Sequence, residues 1–280
     1  MIRDSLAEAL GLLRDHPVLW VPGIVAGACT AGGLLLEALY GTFFAGKLAF
    51  LFLFVILFFV AAALGSIHTG DYSAAGFLRQ GVSRYFRVLV PSLVITFTII
   101  VMLLLIATTL AAIGLASQVS LIALAAVFLS VVVLFLTFFY DTAAVFEEKR
   151  TFASVRRSIE LVSRAPGKVL GFYLVSLIIL AGITFVALLA WTGLLFERLE
   201  PLTTMNLTDA SAMTPESFVA LLGTDGIIIT AAVYFLIVLV SASILLAFKA
   251  CFYRKLVSLT PLPVEQLTGE YDSKGRWYKY

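Results

Sequence analysis

The residues best placed to do chemistry are the few ionisable ones set at the ends of long apolar runs. Asp141 follows the run Val119 to Tyr140, and Lys249 follows the run Gly226 to Phe248. A carboxylate or ammonium within a membrane segment is costly unless it faces the protein and finds a partner. Asp141 and Lys249 are therefore expected to pair, with Arg156 or Arg157 as other partners for Asp141 and a cap on the next surface helix as its plain structural role. Glu37 and Lys47 flank a short turn and are expected to meet across it. His68 and His16 are the two histidines, and Cys29 and Cys251 the two cysteines. Neither set joins acids at metal-ligand spacing, and the cysteines fall on different levels, so a disulfide is not expected. There is no glycine-rich phosphate loop, HExxH or GxSxG. No catalytic, cofactor-binding or metal residue is assigned, and no cofactor is expected.

These side chains must be positioned by membrane helices. The chain has 280 residues, 61% of them apolar and 13% charged, with mean hydropathy +1.07. A soluble domain carries about a quarter charged residues. The apolar excess lies in six runs of spanning length: about Val18–Tyr40, Leu48–Ile67, Val88–Leu115, Val119–Tyr140, Val169–Phe196 and Gly226–Phe248. Gly23, Gly27, Gly32 and Gly33 in the first run permit close helix approach. The first sixteen residues hold acids as well as arginines, unlike the basic start of a cleaved signal, so the first run is expected to stay as a helix.

Three polar segments read as amphipathic helices lying in the interface. One begins at Ser5, where Ser5 and Glu8 form a capping box. A second begins at Ser73. The third begins at Thr151, with Phe152, Val155, Ile159 and Val162 as one apolar stripe. Their basic residues Arg79, Arg84, Arg87, Arg156, Arg157, Arg164 and Lys168 are candidate contacts for anionic lipid headgroups. The interval Glu197–Asp225 is acidic instead. It holds a helix start at Thr214-Pro215-Glu216 and the sequon pattern Asn206-Leu207-Thr208.

Six spans put both termini on one side. That side holds seventeen of the nineteen Lys and Arg residues, leaving Lys47 and Arg198 opposite. The positive-inside bias makes it the cytoplasmic side of the cell (inner) membrane. The fold expected is all-α: six transmembrane helices as three hairpins, each preceded by a cytoplasmic-side amphipathic helix. Residues 1–260 form the membrane domain, with parallel repeat units at about 1–67, 68–146 and 147–250, and residues 261–280 form a cytoplasmic tail.

The segment Asp141-Thr142-Ala143-Ala144-Val145, then Ala153-Ser154-Val155-Arg156-Arg157-Ser158, then a span from Val169, resembles a pattern of six-helix prokaryotic membrane proteins. These are the YciC-like and DUF4013/DUF7847-like families and the membrane domain of some glycerophosphodiester phosphodiesterases. His16-Pro17, Pro22-Gly23 and Tyr253-Arg254-Lys255-Leu256 are similar too. The resemblance implies the six-helix layout and no established activity, and the soluble phosphodiesterase domain has no counterpart here. The function expected is non-enzymatic organisation of membrane lipids or of a membrane or cytoplasmic protein partner, with no nucleic acid. A small-molecule or lipid transporter or translocator is the alternative, and a membrane enzyme acting on lipid is a third reading. The transporter reading requires a polar path, which spans two, three and five scarcely offer.

Overall fold

The computed structural model describes residues 1–112, 119–204, 214–259, 269–271 and 277–279. The described residues are almost wholly helical. The helices are α1 (Ile2–Asp15), α2 (Val21–Tyr40), α3 (Thr42–Thr69), α4 (Ala74–Ala112), α5 (Val119–Thr137), α6 (Tyr140–Phe146), α7 (Thr151–Arg164), α8 (Pro166–Leu194), α9 (Phe196–Thr204) and α10 (Pro215–Leu259), with a 3-10 turn over Pro17–Trp20. Within the tail, β1 (Gly269–Tyr271) pairs antiparallel with β2 (Trp277–Lys279). Six helical segments are long and apolar enough to cross a membrane: Pro17–Tyr40, Ala45–Thr69, Ala74–Ala112, Ala123–Phe146, Pro166–Leu194 and Ser217–Leu259. Ser117 and Gln118, between the third and fourth apolar runs, and the Asn206-Leu207-Thr208 sequon lie outside the described residues.

Neighbouring packing follows the order α5, α4, α3, α2, α10, α8. The closest approach is α2 on α10. A Cβ on Gly23 would lie 2.1 Å from Ser243 Oγ and 2.3 Å from the Leu239 carbonyl oxygen, and one on Gly27 would lie 2.8 Å from that of Phe235. Gly23 and Gly27 thus set this interface, as small residues at a four-residue interval do elsewhere. Gly32 and Gly33 have open space beside them.

The buried core is concentrated at one end, called the basic end below. It joins Ala9 and Leu13 of α1, Leu64 and Ile67 of α3, Phe77 and Val88 of α4, Phe139 and Val145, Leu161 of α7, Phe172 of α8 and the stretch Ala247–Tyr253 of α10. Side chains of Ala247–Tyr253 are buried on every face. Phe172 is the aromatic centre, stacked on Phe252 with centroids 4.6 Å apart and packed on Phe248 at 4.7 Å. By contrast, α8 has no buried residue beyond Phe172, and among the described residues of α5 only its last, Thr137, is buried.

Several elements differ from expectation. The first helix starts at Ile2, so Ser5 lies inside it and its hydroxyl donates to the Met1 carbonyl at 2.9 Å. Glu8 is thereby released from the proposed capping box and instead meets Arg254 and, at 3.0 Å, Lys255 of α10. Ser73 does cap a helix, accepting from the Gly76 amide at 3.0 Å. That helix is continuous with the third span, through Pro91, so no separate amphipathic helix precedes it. At 39 residues, α4 is about 58 Å long at 1.5 Å per residue, well beyond a hydrocarbon core of about 30 Å. Its first turns therefore reach past the core without needing a break. Thr151 is the first residue of α7, and no side chain caps that helix. Thr214 caps α10 as anticipated, its Oγ1 accepting from the Ser217 amide at 3.2 Å. The acidic interval holds an additional helix, α9.

Candidate functional site

The fourth span breaks at Phe138-Phe139, and the candidate site is built around that break. Two consecutive aromatics leave the α-helix there, freeing backbone groups that need partners in an apolar setting. Side-chain hydroxyls supply them. Ser158 Oγ accepts from the Phe139 amide at 3.0 Å and donates to the Leu136 carbonyl at 2.8 Å. Tyr173 Oη donates to the Phe135 carbonyl at 3.0 Å, and Thr142 Oγ1 to that of Phe139 at 2.8 Å. The break thus draws α7 and the start of α8 against the end of α5.

The turn re-aims the chain so that Asp141, in the first turn of α6, points at α10. Lys249 Nζ lies 2.7 Å from Asp141 Oδ1 and 2.8 Å from Oδ2. Asp141 is 6% exposed and Lys249 8%, which makes this a buried pair rather than a surface one. The ammonium also sits 4.2 Å from the centroid of the Phe138 ring, a cation–π position. The Thr142 amide donates to Asp141 Oδ1 at 2.6 Å. Charge, hydrogen bonds and the aromatic face all compensate the desolvation of the two ions.

A second buried cluster lies one helical turn further on. Arg157 Nε meets Glu147 Oε1 at 2.9 Å and Oε2 at 3.1 Å. Tyr253 Oη donates to Glu147 Oε1 at 2.7 Å. Arg84 Nη1 donates to the Val145 carbonyl at 2.7 Å, joining α4 to the end of α6. His68 packs edge-on against Phe146, and His16 stacks on Tyr72 with centroids 3.7 Å apart. No cluster of three His, Cys, Asp or Glu that could hold a metal exists among the described residues.

The basic residues divide into two sets. Arg84 and Arg157 face inward, 8% and 2% exposed, and are held by Val145 and Glu147. They cannot reach a lipid headgroup from there, which corrects the surface role expected of them. The physical reason is the carbonyl and carboxylate that the end of α6 presents to them. Arg79, Arg156, Arg164 and Lys168 are exposed, while Arg87 is half-exposed and 3.5 Å from Glu148. On α7 the docked face is Ser154, Arg157, Ser158, Leu161 and Val162. The expected stripe is therefore split: Val162 is inside, whereas Phe152 is 75% exposed. Glu37 and Lys47 do not pair; Lys47 lies over the Phe43 ring at 4.0 Å.

Glu147 was not singled out from sequence, and Tyr253 was named only within the Tyr253-Arg254-Lys255-Leu256 resemblance, with no partner assigned. Glu147 is ten residues from Arg157 and Tyr253 lies 106 residues beyond Glu147. No local periodicity links such positions.

These features define an all-helical protein with six membrane-length helices, whose polar side chains lock a broken helix to its neighbours. The chain belongs to the family described as Domain of unknown function (DUF7847), whose model matches residues 1–256. That match covers the DUF7847 part of the resemblance alone. No curated protein and no solved structure matched.

Proposed function

We propose that this protein is a non-enzymatic, multi-pass protein of the cell (inner) membrane that organises anionic lipid at its cytoplasmic face. Both termini lie on that face, and the spans act as three hairpins of a repeated design. The observation that carries the reading is the two-faced character of α7. One face is fixed to the bundle through Ser158 and the Arg157–Glu147 pair. The other offers exposed Phe152 and Ile159 beside Arg156 and Arg164. Apolar anchors flanked by arginine suit the boundary between acyl chains and headgroups. Each basic residue near an anionic surface contributes on the order of 1 kcal/mol, so the exposed set gives a preference for anionic lipid.

Native mass spectrometry of the protein in nanodiscs of equal phosphatidylglycerol and phosphatidylcholine tests this. Retained lipid is expected to be mainly phosphatidylglycerol. The combined variant Arg79→Gln, Arg156→Gln, Arg164→Gln, Lys168→Gln is expected to lose that bias while melting at the wild-type temperature. Equal retention of both lipids by the wild-type protein would refute the reading.

A further inference from the structure

A crevice opens at the other end of the bundle, between α2, α3 and the start of α10. It consists of two adjoining cavities of about 620 and 540 Å³ that share Leu34, Glu37 and Thr42 as lining. The walls are largely apolar. Phe52 and Tyr234 contribute aromatic rings on one side and Phe218 on the other. Among the described residues Glu37 is the one charged residue of the lining, and its carboxylate has no ion-pair partner; Lys47, its expected partner, lies over Phe43.

The wall carrying Phe218 and Leu222 is held in place by a bend. Gly223 has φ 65° and ψ 179°, which turns the first segment of α10 across the bundle end. Arg198 braces the bend, its Nη1 donating to the Leu222 carbonyl at 3.1 Å and its Nη2 lying 3.4 Å from Asp225. A side chain at Gly223 would suffer both the positive φ and a Cβ contact of 2.7 Å with that guanidinium.

We propose that this crevice binds organic monocations with an apolar body, the positive centre pairing with Glu37 and the body filling the space lined by Leu34, Phe52, Phe218 and Tyr234. A carboxylate supplies the countercharge, and aromatic faces attract cations by their quadrupoles. A mostly apolar cleft with one convergent polar group is the usual form of a small-molecule site. An anion is excluded by like charge. A zwitterionic lipid headgroup fits poorly, because among the described residues no Lys or Arg lines the crevice to receive its phosphate.

The test uses the full chain in phosphatidylglycerol nanodiscs, with radiolabelled tetraphenylphosphonium as the probe and tetraphenylborate as its anionic isostere. Saturable binding of the cation and none of the anion is expected. Glu37→Gln should weaken cation binding at least tenfold, and Glu37→Asp should recover part of it. Gly33 lines the crevice and a Cβ there would meet nothing within 4 Å, so Gly33→Phe should occupy the space and also weaken binding at least tenfold. Phosphatidylethanolamine added to the discs should not displace the probe. Equal binding of cation and anion, wild-type binding by both Glu37→Gln and Gly33→Phe, or displacement by phosphatidylethanolamine would each overturn the proposal.

Discussion

At the residue scale, the Asp141–Lys249 pair makes the sharpest demand. Removing one partner of a buried pair leaves an uncompensated charge and typically costs about 3–5 kcal/mol, whereas removing both costs far less. Lys249→Met is therefore expected to lower the melting temperature in detergent strongly, and Asp141→Asn likewise. The double variant should lose much less than the sum of the two, because the residues are in contact; additive losses would mean that they are not coupled. This pair was legible in the sequence because intramembrane ions have so few ways to be satisfied. The Arg157–Glu147–Tyr253 cluster was not, since an arginine on an interfacial helix looks the same in sequence whether it turns in or out. Asp71 carries a milder prediction. Its Oδ1 accepts from Ser73 Oγ at 2.7 Å and the Ser73 amide at 3.2 Å. Those bonds, and then the Arg79 charge, hold its carboxyl below the usual carboxylate range. A lowered folded-state pKa gives stability that is present above the unfolded value of about 3.9 and is lost as pH falls toward the folded value. Amide protection in the turn from Gly70 to Gly76, taken relative to the intrinsic exchange rate at each pH, should fall in that acidic window, and Asp71→Asn should remove that fall.

At the element scale, the break at Phe138-Phe139 depends on hydroxyls borrowed from other helices. Ser158→Ala would strand the Phe139 amide, and an unsatisfied buried group costs about 1–3 kcal/mol. Thermal melting should show that loss, while Ser163→Ala, on the exposed face of the same helix, should leave stability unchanged. Sequence reading placed the end of this span close to its true position but treated it as a simple end. Two phenylalanines carry no turn signal of the kind Gly or Pro provides, and the groups that stabilise the break come from about twenty and forty residues further along the chain. The glycines of α2 show the same limit from the other side. All four were recognised as small, yet only Gly23 and Gly27 face a neighbour closely. Gly27→Leu should therefore disrupt the packing of α2 on α10 and lower the yield of folded protein, whereas Gly32→Leu should be tolerated; equal effects would contradict the close approach.

At the scale of the whole molecule, burial and charge share a polarity. The close-packed core, both ion-pair clusters and the arginines of α7 gather at one end, while Glu197, Asp225 and the crevice lie at the other. Near-continuous apolar runs made six membrane-length helices readable from hydropathy, but hydropathy is blind to how much of each helix the protein itself covers. Helix α8 shows this best, being buried only at Val169 and Phe172. Its other residues are intermediate or exposed, though Trp191 Nε1 near its far end donates to Thr230 Oγ1 of α10 at 2.8 Å. Orientation then follows from where lysine and arginine are retained during insertion. In the sequence, seventeen of the nineteen Lys and Arg residues fall in the segments on one side of the spans, and the positive-inside rule is what supports the cytoplasmic placement proposed for that side. Single cysteines in a Cys29→Ser, Cys251→Ala background can report this. Ser163 and Ser217 are both exposed and sit at opposite ends of the bundle, unlike Ser154, which is fully buried. Ser217→Cys should react with an impermeant maleimide on intact cells, and Ser163→Cys should react only after the membrane is opened. Labelling of Ser163→Cys from outside, with Ser217→Cys protected, would invert the molecule and move the exposed arginines to the outer leaflet, away from the lipid surface assigned to them.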